Sequence, residues 1–317
     1  MNKIQDAFPQ GNFLDVPGEL YDPIEYALSQ GGKRLRPLLV LLSCEMFGGN
    51  PDEAMNPAIG VEIFHNFTLL HDDIMDQALL RRGTQTVYKK WNSNVAILSG
   101  DTMFVMAYEY VCRVTPAKLP DVLATFNDTA RKVCEGQQYD MNFETQMEVN
   151  LDDYFMMIRL KTAVLIACCV KVGAIMAGAD PQDAENIYKF GENLGMAFQL
   201  QDDLLDAFGD TSKFGKEIGG DIVSNKKTFL YLKAFELADE NTRDEIEQLF
   251  RDQQVNPDKK VQRIQEIYLL LEIDTITQEI IEGYLKRAIF YLEQVSVDEV
   301  RKAGLRKLAN EMIHREV

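Results

Sequence analysis

Apolar residues recur along this chain at three- and four-residue intervals over one long segment after another, while alternating runs flanked by turn dipeptides are scarce. That pattern predicts an all-α protein. Ile59, Ile63, Phe67, Leu70 and Ile74 form one such stripe and predict a helix over Pro57–Leu80. Further helices are expected over Pro23–Ser29, Leu38–Phe47, Asn94–Val114, Pro120–Glu144, Leu151–Ala177, Pro181–Phe208, Lys227–Ala238, Thr242–Gln253, Pro257–Leu271, Thr275–Gln294 and Val300–Arg315, with Pro or Gly near several breaks. Arg81–Thr86 and the glycine-rich, charged Phe208–Asp221 read as loops. No low-complexity linker divides the 317 residues, and they are expected to form one domain, 1–317. The longest apolar stretch, Thr162–Ala179, carries Lys171 in its middle, which marks a buried core helix rather than a membrane span of ~20 residues with few charges.

Two of the predicted helices carry acid amid core residues. LLHDDIMD contains Asp72, Asp73 and Asp76, and the four-residue spacing stacks Asp72 and Asp76 on one helical face. Like charges so placed weaken a helix unless a cation sits between them. FQLQDDLLD repeats the pattern with Asp202, Asp203 and Asp206, roughly 130 residues on. An acidic triplet is usually a solvated face flanked by Lys, Glu and Gln, but both of these are flanked by apolar residues. Six hard oxygen donors suit Mg²⁺, which keeps several waters and bridges carboxylates to phosphate oxygens. Calcium is the competing metal, although no EF-hand spacing occurs.

Cations stand beside the acids: Lys33, Arg34 and Arg36 after Gly31-Gly32, Arg81 and Arg82 after the first motif, Lys161 with Thr162, and Lys216, Lys226 and Lys227 after the second. Any one alone reads as a solvated surface charge. Their repeated placement points to phosphate, which Arg grips bidentately and Lys meets as a mobile point charge. The net charge of -17 argues against nucleic acid or insertion at an anionic membrane, so an anionic substrate has to be held by local cations or metal. Five cysteines without metal-ligand spacing, and a start, MNKIQDAFPQGNF, without an apolar signal region, lead us to expect reduced thiols and a cytoplasmic protein.

Taken together, GGKRLRP, HDDIMD, LLRRGTQT, RLKT at 159–162, FQLQDDLLD, FGKEIGGD and NKKT resemble, in order and spacing, the trans-isoprenyl diphosphate synthases, or polyprenyl synthetases. The resemblance implies the isoprenoid synthase fold, a single bundle of many helices around a central cavity, usually as a homodimer. It implies a prenyltransferase that condenses an allylic diphosphate (dimethylallyl, geranyl or farnesyl) with isopentenyl diphosphate. Asp72, Asp73, Asp76, Asp202, Asp203 and Asp206 would hold three Mg²⁺ ions. Arg81, Lys161, Thr162, Gln199, Lys216 and Lys226 would complete the allylic diphosphate site, with Lys161, Gln199, Lys216 and Lys226 at the reacting group. Lys33, Arg36, His65 and Arg82 would take isopentenyl diphosphate, with Arg315 as a late contact. The leaving diphosphate would accept the proton, so no protein base is assigned. Phe198 and Gln199 would line a cavity that excludes water.

The chain departs from the family pattern at Gln85, where proline is common, at Asn225, where glycine is common, and at Phe229-Leu230. Phe67 and Phe64 precede Asp72 by ~7.5 and ~12 Å of helix, and Thr68 beside them is small. An aromatic floor there leads us to expect a farnesyl or geranylgeranyl product; the alternative is that both rings simply pack between helices. Competing functions are a class I terpene cyclase, a non-catalytic partner subunit of a heteromeric synthase, and a helical cation-binding scaffold. The cyclase normally lacks a second full DDxxD and GGKRLRP, partner subunits tend to lose motif acids, and no motif acid is lost here.

Overall fold

The helical periodicity is realised almost throughout the computed structural model, which describes residues 17–146, 148–209, 218–252 and 254–314. Among them the helices are α1 (Gly18–Ser29), α2 (Leu35–Met46), α3 (Met55–Met75), α4 (Val87–Lys90), α5 (Ser93–Val111), α6 (Leu119–Thr145), α7 (Leu151–Ile158), α8 (Val164–Ala177), α9 (Pro181–Phe208), α10 (Gly220–Val223), α11 (Phe229–Leu237), α12 (Glu240–Arg251), α13 (Pro257–Leu270), α14 (Ile273–Glu293) and α15 (Glu299–Ile313). Local chemistry sets many of the starts. Asn92, Asn150, Asp239 and Asn256 each accept a backbone N–H from the first turn of α5, α7, α12 and α13, and Asn150 with Asp153 forms a reciprocal capping box. The all-α expectation holds, and the interruptions are informative.

Helix α3 stops at Met75, five residues before the expected end. Gln77 turns left-handed at φ 52°, Ala78 N–H donates to the Asp73 carbonyl and Gln77 N–H to that of Ile74. This is a Schellman ending without the usual glycine, so composition gave no stop signal. Arg81–Thr86 is also more than a loop: β1 (Leu80–Arg81) pairs antiparallel with β2 (Thr84–Gln85). Arg82 and Gly83 between them both have positive φ, 53° and 77°, as a two-residue hairpin turn that matches strand twist requires. Between α7 and α8 the helix widens into a π turn over Arg159–Ala163.

The chain groups into two compact units. One takes residues up to Asn127, Cys168–Ile187 and Ser296–Leu305; the other takes Asp128–Ala167, Tyr188–Val295 and Arg306 onward. In the first, α3 packs along α5 and α2, burying Val61, Ile63 and Phe64 with Leu39, Val40, Met103 and Ala107. In the second, α11 and α13 pack on α14 around Tyr154, Phe190, Phe229, Tyr268 and Ile281. The five cysteines are thiols, with Cys44, Cys168 and Cys169 buried. Among the described residues one helical run, Leu151–Ala177, is long and apolar enough to cross a membrane, and 72% of its apolar window is buried inside the protein.

Candidate active site

In the first unit the sequence-predicted residues gather at the end of α3 and the hairpin after it. Asp73 is buried, and its Oδ1 accepts Arg81 Nε at 2.8 Å and also Nη2, while Arg81 lies 3.6 Å from Asp72 Oδ2. The hairpin is what folds Arg81 back onto the acids eight residues before it. Asp76 is half-buried at the helix cap. The neighbouring Arg82 donates from Nη1 to the Gly31 carbonyl and lies so close to Gly32 that a Cβ there would meet its guanidinium at 3.0 Å. The Gly-Gly of GGKRLRP therefore seats Arg82. Lys33 is exposed and Arg36 half-buried on the same segment.

His65 is held neutral: burial, then the charges of Arg36, Arg82, Arg81 and Arg34, depress its pKa well below 6.5. Four guanidinium groups therefore act on this one imidazole, two of them already paired to Glu62 and Asp73. Arg34 is anchored, donating to buried Glu62 at 2.8 Å and to the Leu28 carbonyl at 2.6 Å. On α3, N-terminal to Asp72, Phe64 is fully buried and Phe67 half-buried, and Phe104 of α5 lies 5.1 Å from the Phe67 ring. Phe126 and Tyr108 extend the cluster, and Thr68 donates back to the His65 carbonyl.

In the second unit a cleft brings together Lys161, Thr162, Gln199, Asp203 and Lys226. Thr162 Oγ1 donates to Gln199 Oε1 at 2.9 Å, and Gln199 Nε2 donates to Asp203 Oδ1 at 2.9 Å. Lys161 reaches Asp140 Oδ2 at 2.6 Å. The π turn that carries Lys161 and Thr162 is possible because two helices offer it no Cβ. At Gly136 a Cβ would lie 2.3 Å from Lys161 N, and at Gly195 2.5 Å from Ala163 Cα. Asp202 and Asp206 flank Asp203 on α9, both half-buried, and Asp206 Oδ2 accepts Asp221 N–H at 2.9 Å. Gln199 lines the cleft as expected; Phe198 is not among its lining residues. Lys216 and Arg315 lie outside the described residues.

A match to the polyprenyl synthetase family model spans residues 17–268. The chain belongs to the polyprenyl synthetase family. It is 41% identical over 232 residues to a short chain isoprenyl diphosphate synthase of Methanothermobacter thermautotrophicus, covering 73% of this chain and 71% of that protein. It is 34% identical to a geranylgeranyl diphosphate synthase of Sulfolobus acidocaldarius, over 99% of this chain and 96% of the relative. A crystal structure of geranylgeranyl pyrophosphate synthase superposes with a TM-score of 0.92 at 44% identity, covering 100% of this chain and 96% of that one.

The cleft of this polyprenyl synthetase also holds residues beyond the expected ligands. Tyr154, Asp140 and Asp221 line the cleft with the expected residues, and Lys227 joins them, donating to the Phe143 carbonyl at 3.0 Å. Asp221 and Lys227 lay inside recognised motifs; nothing local marked Tyr154, whose hydroxyl donates to Asp203 Oδ2. Asn225 also has an explanation, since its φ of 60° is left-handed, a conformation glycine adopts freely and Asn tolerates better than most residues.

The family uses Mg²⁺ with diphosphate substrates, and the donor chemistry here fits that ion. Among the described residues no three His, Cys, Asp or Glu side chains converge on one point as a metal cage. Mg²⁺ needs none, taking one or two carboxylates with waters and substrate phosphate. The buried acids are also poised for a cation. Burial, opposed by Arg81 and reinforced by Asp72 and Asp76, raises Asp73 to about 6. Burial and then Asp221 raise Asp203 to about 8, against hydrogen bonds from Tyr154 and Gln199. Folded, metal-free protein thus keeps a proton on Asp203 that the unfolded chain releases near 3.8. Its stability contribution is complete below that value and is lost as pH rises to about 8. Denaturant melts of metal-free protein from pH 5 to 9 are expected to show the wild type losing stability relative to Asp203→Asn; parallel profiles would show an ionised Asp203.

Proposed function

We propose that this chain, a prenyltransferase by family, builds geranylgeranyl diphosphate by condensing allylic diphosphates with isopentenyl diphosphate. The observation that carries the reading is the cleft in which Asp203 stands with Lys161, Thr162, Gln199, Lys226 and Lys227, acid for a metal beside cations for phosphate. Support for the product comes from relatives named as geranylgeranyl diphosphate synthases across nearly the whole chain.

By the family resemblance, Asp72, Asp73 and Asp76, and likewise Asp202, Asp203 and Asp206, would hold Mg²⁺, three ions in all. Bound Mg²⁺ supplies positive charge to the departing allylic diphosphate. In the second unit's cleft Lys161, Thr162, Gln199 and Lys226 would orient that diphosphate and spread its developing charge, so that the C–O bond ionises, and by the family resemblance Arg81 and Lys216 would also bind it. Lys33, Arg36 and Arg82 bind isopentenyl diphosphate, and the neutral His65 donates a hydrogen bond without adding charge. The double bond then attacks the allylic cation, and the released diphosphate takes the proton.

We further propose that residues 1–317 act as one polyprenyl synthetase domain, in the cytoplasm and as a homodimer. Ile97, Leu98 and Val105, exposed along one stripe of α5, are suited to contact with a second copy, and sedimentation equilibrium tests this. The activity is tested by incubating the protein with Mg²⁺, isopentenyl diphosphate and dimethylallyl, geranyl or farnesyl diphosphate in turn. Diphosphate release with a twenty-carbon end product is expected. Absence of release with every primer removes the enzyme reading, and a different chain length changes the product alone.

Phe67→Ala is expected to shift the product toward longer chains, seen by reverse-phase chromatography, because it opens the half-buried edge of the aromatic cluster. Phe104 backs Phe67, so Phe67→Ala with Phe104→Ala is expected to lengthen it further. An unchanged product from both variants means that the rings serve packing only.

A further inference from the structure

The turn Asn225–Thr228 contributes two lysines to the cleft, and it is held from α13, a helix with no role so far. Asn225 is left-handed, with φ 60°, and its side-chain carbonyl accepts a hydrogen bond from Lys260 Nζ. Lys260 is only 5% exposed, with its ammonium 4.6 Å from the centroid of the Phe250 ring. A buried ammonium is costly unless paired, so this contact is a specific one. The next residue continues the connection: Lys226 N–H donates to the Asp221 carbonyl at 2.9 Å, and Asp221 N–H to Asp206 Oδ2 at 2.9 Å. Two more contacts come from the same helix. Gln265 Nε2 donates to the Ala207 carbonyl at 2.6 Å, and Val261 lies where a Cβ on Gly219 would be 2.6 Å away.

We propose that Lys260 is a positioning residue for the allylic diphosphate, fixing Asn225 in its left-handed turn and thereby setting where Lys226 and Lys227 stand. It touches neither substrate nor metal. The inference rests on the reading of Lys226 as a diphosphate ligand. The anchor matters because position 225 is asparagine: glycine there would adopt the turn without one.

Lys260→Met keeps the length and apolar stem of the side chain and removes the donor. It is expected to raise KM for the allylic diphosphate about tenfold, the cost of one hydrogen bond to a charged group, and to leave KM for isopentenyl diphosphate unchanged. Asn225→Ala, at an exposed position, is expected to do the same, with some loss of stability because the buried Lys260 ammonium loses its partner. Adding Asn225→Gly to Lys260→Met is expected to restore most of the affinity, which recovery from general destabilisation would not do. Equal changes in both KM values, or no rescue, overturn the assignment. Lys226→Ala is measured alongside: an unmoved allylic KM there overturns the Lys226 reading and with it this one, whereas a raised value with unmoved Lys260→Met and Asn225→Ala overturns the role of Lys260 alone.

Discussion

Replacing Asp72 with alanine is expected to lower kcat by about three orders of magnitude, with KM for isopentenyl diphosphate nearly unchanged. Asp72 is half-buried beside Asp73, and Arg81 spans both. The substitution takes away a hard oxygen donor and leaves Arg81 paired to Asp73, so the local fold persists while the hold on the cation weakens. Removing one preorganised charge-stabilising group from an active site typically costs ~10²–10³ in rate, and loss of a metal ligand adds to it. Asp202→Ala is expected to cost as much. If both triads act on one diphosphate, the double variant falls little further than either single one, because groups working as a unit are not additive. Steady-state rates at saturating Mg²⁺ give the comparison. A kcat within tenfold of wild type for Asp72→Ala would remove the first triad from the metal site, and full additivity would separate the triads.

The second large effect is expected at a residue with no side chain. Gly136→Ala would set a methyl group 2.3 Å from Lys161 N and 2.7 Å from the Leu160 carbonyl carbon, both backbone atoms of the π turn. Backbone cannot yield as a flexible side-chain tip does, so the turn must shift and carry Lys161 and Thr162 with it. Overpacking of this kind costs about 1–3 kcal/mol of stability. A misplacement of ~1 Å at a positioning group costs about a hundredfold in rate. Thermal melts and kinetics on Gly136→Ala and Gly195→Ala are expected to show both losses, while Arg159→Ala, exposed on the same turn, keeps near-normal values. Full activity in Gly136→Ala would show that the π turn does not position the lysine. Short π turns recur at functional sites, and here the wide turn coincides with the two cleft residues.

Much of this enzyme was legible along the chain. Helical periodicity is a local property, and the stripe through Ile59, Ile63 and Phe67 announces α3 before any tertiary contact is known. The acid motifs were legible for the same reason, since four-residue spacing fixes a shared face wherever a helix forms. The stop at Met75 is not legible there, because Gln77 takes a left-handed turn that its identity does not advertise.

What the sequence determined by itself was the all-α class, the two carboxylate triads and a set of cations near them. Tertiary structure decided which of those groups meet. It folded Arg81 back onto Asp73, placed His65 in the field of four arginines, backed Phe67 with Phe104, and brought Tyr154 and Asp221 to Asp203 from separate segments. It also gave Gly136 and Gly195 their purpose. The physical reason is the range of the interactions. Spacing along one helix fixes which side chains share a face, whereas hydrogen bonds and close backbone approaches between distant segments depend on how those faces pack.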